Sequence, residues 1–252
     1  MTDPGSMQAE ADPRFTRKKV HYVSHPASEF IRWLKRIFYH AVRNPLINKA
    51  IERSLSRDRL EKYLVASGAD LDSALSLYER NTRLAAAIYS PLQTLEICLR
   101  NHLDEHLSAT YGSDWMTNER PPLNDWAQRE IEGTKKIFGA SKASVTRGAI
   151  VAELHLGFWI SLLAPQYDAT LWRSACHRAF QSNGKGLARK KVHSRLNAIR
   201  RVRNRVAHHE PIFHADLEKT HEEILEACGW ICVHTAAWAR HHSRFSEMWA
   251  AP

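Results

Sequence analysis

The chain has 252 residues, 44% hydrophobic with eight tryptophans, which is enough apolar mass for a folded core, and its ten glycines argue against a strand-and-turn architecture. Its four cysteines (Cys98, Cys176, Cys228, Cys232) do not have the spacing of a zinc ribbon or a redox pair, and no apolar run reaches the roughly 18 residues of a membrane span. The formal charge of +9 is segregated: residues 169–209 hold eleven Lys or Arg and no acid, and residues 14–57 hold eleven more against Glu29 and Glu52. Blocks of this kind point to a polyanionic partner, the alternative being a solvated basic face. With no secretory signal, the thiols are expected to be reduced and the compartment cytoplasmic.

Residues 1–6, ahead of a second methionine at Met7, look like an added leader. The polar, proline-punctuated sequence that follows, with Arg17, Lys18 and Lys19, predicts a flexible basic arm over residues 1–28. Residues 29–54 form a second, basic segment. In it Phe30, Trp33, Leu34, Ile37, Phe38 and Ala41 share one stripe of an amphipathic helix over residues 29–43. Packing on the domain is the simplest use of that face; contact with RNA or with an anionic membrane surface are the others. A connector is expected after Pro45, and then a helical domain over residues 55–243.

Within that domain Arg57 to Ala66 reads as a short helix ended by Gly68. Asp70 or Asp72 can cap the next helix, which carries Ala74, Leu75, Leu84 and Ile88 and which Ser90-Pro91 is expected to interrupt. Residues 91–110 then place Leu92, Leu95, Leu99, Leu103 and Leu107 on a buried stripe. Glu96 and Arg100 sit at i, i+4 on this helix, a spacing that usually gives a surface pair worth roughly 0.3–0.5 kcal/mol. His102 and His106 share the spacing but have no further ligand beside them, so no metal site is expected.

Residues 113–124 predict a loop and 124–138 a helix. One helical segment is expected from about Ser144 into the apolar run Leu156 to Leu163. The pattern breaks at Asn183-Gly184-Lys185-Gly186 and restarts as a basic helix from about Leu187 to His208; a last helix spans Ala215 to about Arg240. The overall expectation is an all-α bundle. There is no Gly-rich phosphate loop and no zinc-protease signature.

The densest chemistry lies in Ile199–Phe213, where Arg200, Arg201, Arg203 and Arg205 lead into His208, His209 and Pro211. Guanidinium groups bind phosphate strongly, and imidazoles titrate near neutral pH. On a helical wheel Val192, Leu196, Ile199 and Val206 make a buried stripe whose missing member is Arg203. A charge in that seam needs a partner, either a carboxylate such as Glu96 or a phosphate in a groove. Asn204 and His208 lie about 40° apart on the wheel, whereas Arg203 and His208 lie about 140° apart. Their convergence would need the helix end or a second subunit.

Arg203-Asn204-Arg205-Val206-Ala207-His208 resembles the Arg-polar-x-x-x-His signature of the HEPN superfamily, and its extension through Ile212 resembles the C-terminal signature of Abi-like proteins (abortive infection, AbiD/AbiF type). Leu77 to Asn81, Leu95-Glu96 through Arg100-Asn101, Gly157-Phe158-Trp159 and Gly229-Trp230-Ile231 resemble further landmarks of that family, in order, over roughly residues 55–240. The resemblance implies a dimeric HEPN-like helical bundle that cleaves RNA without metal or other cofactor. It implies His208 as general acid or base, with His209 as the alternative because the family's Arg to His spacing varies, Arg203 as the phosphorane clamp and Asn204 as the orienting group, with His209, Glu96 and Arg100 otherwise in support. Arg189, Lys190, Lys191, Arg195, Arg200, Arg201 and Arg205 are the candidate RNA contacts. Expected partners are RNA, a second copy of the chain, and an antitoxin or phage-derived trigger. The alternative is a non-catalytic HEPN module for RNA binding or dimerisation.

Overall fold

A computed structural model describes residues 44–118, 120–138 and 146–250. The basic arm and the helix expected over residues 29–43 lie outside the described residues. Contacts divide the chain into two units, Met1–Ser54 and Leu55–Pro252. The described part of the first begins a helix, α1 (Pro45–Leu55), where a connector was expected. Its start follows from local chemistry: Asn44 Oδ1 accepts from the N–H groups of Leu46 and Ile47, both at 3.0 Å, and Pro45 occupies the first helical position, where an N–H would have no partner.

The second unit is all-helical apart from one small hairpin among the described residues. Helix α2 (Arg57–Ala66) is capped by Ser56 and ends where Gly68, at φ 62°, turns left-handed, as its glycine predicts. Helix α3 (Leu71–Tyr111) is capped by Asp70, whose Oδ2 accepts from the Ser73 N–H at 2.8 Å. The expected interruption at Ser90-Pro91 does not occur, and Pro91 lies inside a single 41-residue helix. A proline there costs about 3 kcal/mol. Each large side chain buried on either side of it returns roughly 1.5–3 kcal/mol, and Leu84, Ile88, Leu92, Leu95, Leu99, Leu103 and Leu107 all enter one core. Packing therefore outweighs the local break.

Helix α4 (Asp125–Ile137) is capped by Asn124. The single segment expected next is two helices, α5 (Arg147–Glu153) and α6 (Leu156–Ser161), separated by extended backbone at Leu154 and His155. His155 makes the break, because its Nδ1 accepts from the Phe158 N–H at 3.2 Å and so caps α6. Phe158 and Trp159 are fully buried, with the Trp159 indole N–H donating to the Leu154 carbonyl at 3.1 Å. Short helical turns at Pro165–Tyr167, Asp168–Trp172 and Cys176–Ala179 lead to β1 (Gln181–Ser182) and β2 (Lys185–Gly186). Asn183 and Gly184 both have positive φ, the two-residue hairpin turn that an Asn-Gly pair favours.

Helix α7 (Arg189–Ala207) follows; the last expected helix is instead two, α8 (Leu217–Ile231) and α9 (Val233–His242), and a further helix, α10 (Phe245–Ala250), lies beyond its expected end. The chain leaves α8 at Cys232, whose backbone is extended, so it ends one helix and begins the next. Helix α8 packs against α3, α7 and α9. All four cysteines are unpaired thiols. No helix of the described residues is long and apolar enough to cross a membrane.

Candidate functional site

Helix α7 buries the stripe expected of it, Val192, Leu196, Ile199 and Val206, and Arg203 takes the remaining seam position with a carboxylate partner. Arg203 Nε donates to Glu96 Oε2 and its Nη2 to both Glu96 oxygens, each at 3.3 Å, with 28% of the arginine side chain and 20% of the glutamate exposed. Glu96 also accepts from the Leu156 N–H at 3.2 Å, so one carboxylate joins α3, the first turn of α6 and α7. Arg203 is held along one edge, and its Nη1 makes no hydrogen bond among the described residues. Glu96 and Arg100 do not pair with each other. Arg100 instead donates to the Ala152 carbonyl at the end of α5, at 2.9 Å, and its Nε is buried without a partner.

Arg200, Asn204 and His208 succeed one another at i, i+4 and i+8, one stripe of α7 beside Arg203. The stem of Arg200 passes Gly157, where an added Cβ would lie 3.7 Å from Arg200 Cδ and 3.0 Å from the His155 ring. With Nδ1 accepting from Phe158, the Nε2–H of that ring donates to Glu130 Oε2, 3.1 Å away, so a glycine is what lets the capping histidine and the arginine stem pass over α6. His208 is the C-cap residue, exposed, and no hydrogen bond joins its ring to Arg203 or Asn204 among the described residues.

Helix α7 closes with a Schellman motif: the His209 N–H donates to the Val206 carbonyl at 3.1 Å and the Glu210 N–H to the Arg205 carbonyl at 2.8 Å. His209 takes the left-handed position, φ 56°, that glycine usually fills. Two groups from elsewhere fix this end. Arg59 of α2 donates to the His209 carbonyl. Asn81 of α3, 5% exposed, accepts from the Ile212 N–H at 2.7 Å and the Phe213 N–H at 3.1 Å. Tyr63 packs on Phe213 and Tyr78, with ring centroids 5.2 and 5.1 Å apart.

The basic block is free of acids in sequence but not in space. Arg189 pairs with Asp168 at 3.0 Å, Arg195 with Glu226 at 2.6 Å, and Arg205 with Glu210 at 3.8 Å and with the His214 ring. Lys191 lies over the Trp230 ring, 5.3 Å from its centroid. Lys190 and Arg201 are exposed and have no ion pair among the described residues. His102 and His106 face a groove of about 680 Å³ with Glu105, Arg178 and Trp230. Burial holds the His106 ring below the usual imidazole range, Glu105 pulling it upward and Arg178 pushing it down. No cluster among the described residues has the donors to hold a metal ion.

A family model described as Abi-like protein matches residues 32–214, most of the chain. The chain belongs to the Abi-like family. No curated protein and no solved structure matches it. The Abi-like match begins at residue 32, ahead of the residue 55 from which the sequence resemblance was drawn, and so takes in the basic segment before the helical domain. Gly229-Trp230-Ile231 falls beyond its end.

The other landmarks of the Abi-like chain acquire physical roles. Asn81 anchors the backbone after α7, Glu96 holds Arg203, and Gly157 makes room for the His155 cap and the Arg200 stem. Sequence reasoning gave Asn81 no role and passed over Arg59 and His155. An asparagine preceded by the charged pair Glu79-Arg80 carries no pattern that distinguishes a surface amide from a buried anchor, and a histidine N-cap lies outside the usual Ser/Thr/Asp/Asn signal.

Proposed function

We propose that this Abi-like protein is a metal-independent endoribonuclease of an abortive-infection or toxin type defence system, related to the HEPN superfamily of the AbiD/AbiF type and acting in the cytoplasm as a homodimer. Arg203, Asn204 and His208 are its reacting set. The ribose 2′-hydroxyl serves as internal nucleophile, His208 transfers protons between that hydroxyl and the leaving oxygen, Arg203 meets the charge growing on the phosphorane, and Asn204 orients the two. Lys190 and Arg201, exposed on the same helix, add attraction for the backbone. An antitoxin or phage-derived trigger would set when the enzyme acts.

The observation that carries this reading is the guanidinium of Arg203. It interrupts an otherwise apolar seam, it is held rigidly along one edge by Glu96, and its Nη1 is left for an anion. A fixed donor of that kind stabilises developing charge without reorganising at the moment of reaction. One observation favours the second reading, a non-catalytic HEPN module: Glu96 neutralises Arg203, and no contact draws His208 to it within one chain. In the catalytic reading a second copy of the chain supplies the missing convergence.

The test is incubation of the purified protein with mixed RNA in excess EDTA, beside Arg203→Ala and His208→Ala, with analysis of the product ends. The wild type is expected to leave 2′,3′-cyclic phosphate and 5′-hydroxyl ends, and each variant to lose at least a hundredfold in rate, about 2.7 kcal/mol of barrier. Equal cutting by all three proteins would remove the site assignment. Binding of RNA without any cutting would establish the module.

A further inference from the structure

Of the basic side chains on α7, Arg200 alone is fixed by a hydrogen bond and left un-neutralised among the described residues. Arg189, Arg195, Arg203 and Arg205 each face a carboxylate, Lys191 lies over the Trp230 ring, and Lys190 and Arg201 are exposed without an ion pair. Arg200 is half-buried, and its Nε donates to Asn197 Oδ1 at 3.3 Å. Its Nη1 and Nη2 make no hydrogen bond or ion pair among the described residues, so the forked end of the guanidinium keeps its full charge and its donors.

The hold on Arg200 reaches back along the helix. A guanidinium can only donate, so Asn197 presents its oxygen to Arg200 and turns its amide nitrogen the other way. There Nδ2 donates to the His193 carbonyl at 3.1 Å and to His193 Nε2 at 2.9 Å, which makes that ring an acceptor. Burial, with Arg189 and Arg200 adding to it, holds the His193 ring below the usual imidazole range, so no proton competes for that lone pair at neutral pH. On the other side α6 packs on α7, and Gly157 leaves room for the Arg200 stem. Arg200 and Arg203 are three residues apart on the helix, about 5–6 Å between Cβ atoms. Glu96 already balances Arg203, whereas Arg200 has no carboxylate. The uncompensated guanidinium attracts a resting phosphodiester; the compensated one contributes most once further charge develops in the transition state.

We propose that Arg200 is a ground-state phosphate site, binding the backbone phosphate of an RNA strand next to the one that meets Arg203, and that Asn197 is its positioning residue. The choice of RNA as the polyanion rests on the ribonuclease reading given above. The content of the proposal is binding, which is measured whether or not the strand is cut.

The test follows, by fluorescence anisotropy at several salt concentrations, the binding of the full-length protein to a single-stranded oligonucleotide with 2′-O-methyl riboses, which internal 2′-hydroxyl attack cannot cut. Arg200→Ala is expected to weaken binding about tenfold. It should also lower the slope of log Kd against log salt by about 0.7, the share of one phosphate on a single strand. Asn197→Ala keeps the charge, so it is expected to keep the slope while weakening binding about threefold. Removing the neutral pair together, Glu96→Gln with Arg203→Gln, is expected to cost less affinity than Arg200→Ala and to leave the slope as it was. On unmodified RNA, Arg200→Ala should raise KM far more than it lowers kcat. Thermal melts of each variant check that it is folded. A wild type that does not bind the oligonucleotide, an unchanged slope in Arg200→Ala, or a larger loss in the Glu96–Arg203 double variant would overturn the proposal. The expected binding results without any cutting of unmodified RNA would support it and remove only the ribonuclease reading.

Discussion

The side-chain oxygen of Asn81 accepts from two successive backbone N–H groups, those of Ile212 at 2.7 Å and Phe213 at 3.1 Å, although 131 and 132 residues separate the partners in sequence. Both donors follow the end of α7, so a buried amide on α3 determines where the chain goes after His208 and His209. Asn81→Ala leaves both donors without an acceptor, at a cost of roughly 1–3 kcal/mol for each buried group left unmade. Urea titration should show a lower midpoint at unchanged slope. Asn81→Asp keeps the acceptor and should recover part of the loss.

Glu96 and Arg203 are expected to behave as a coupled pair. Glu96→Ala strands the guanidinium and the Leu156 N–H together, and should cost about 1.5–3 kcal/mol. Arg203→Leu should cost less, because leucine continues the stripe of Val192, Leu196, Ile199 and Val206. The double variant should be more stable than the sum of the single losses by about 1 kcal/mol. Simple additivity in denaturation midpoints would show that the pair is only a contact of convenience.

His209→Gly should leave the fold intact or stabilise it by about 1 kcal/mol, since a left-handed backbone costs an L residue roughly that much. The same variant decides which imidazole matters to RNA. Unchanged cleavage leaves the proton transfer with His208, whereas a hundredfold loss in a stably folded protein moves it to His209.

Gly157→Ala places a methyl 3.0 Å from the His155 ring, and the ring must give way. Loss of the cap is expected to cost about 1 kcal/mol, read as a drop in melting temperature. In a His155→Ala background the added methyl has nothing to displace, so the second substitution should be nearly silent. An equal drop in both backgrounds would locate the strain elsewhere, for example on the Arg200 stem.

Acid should destabilise the protein before its carboxylates titrate. His221 is 4% exposed, its ring stacks on Phe245 with centroids 4.6 Å apart, and its Nε2 lies 2.9 Å from Ser243 Oγ. Burial lowers its pKa, with Glu222 pulling upward and Arg240 pushing down. His106 and His193 are lowered by burial too. Each ring therefore refuses a proton in the folded state that it accepts when unfolded below about pH 6.5. Their stabilisation is complete above that value and is lost as pH falls toward the folded-state pKa. Chemical denaturation between pH 7 and 5 should show a falling midpoint, and His221→Gln should flatten the profile. A parallel profile in that variant would exclude His221 as a source.

The helices were legible where local chemistry and periodicity agree. Arg57–Ala66 with Gly68 behind it, the Asp70 cap and the stripe of α7 all follow from residue spacing, and so does the isolation of Arg203 within that stripe. The discrepancies arise where tertiary contacts overrule or replace local signals. Pro91 stays inside α3 because both halves of the helix share one core. Helices α5 and α6 separate because a histidine supplies a cap that composition does not advertise. The basic block looked free of counter-charge because Asp168, Glu223 and Glu226 approach it only after folding.

Helix α3 carries both Asn81 and Glu96, fifteen residues and roughly 22 Å apart along a single axis. One grips the backbone beyond the end of α7 and the other grips Arg203 within it, so α7 is indexed at two points against one ruler. Pro91 lies between the two marks. A change of bend at that proline would shorten or lengthen the interval, and with it the position of the Arg203 guanidinium relative to the turn that carries His208 and His209.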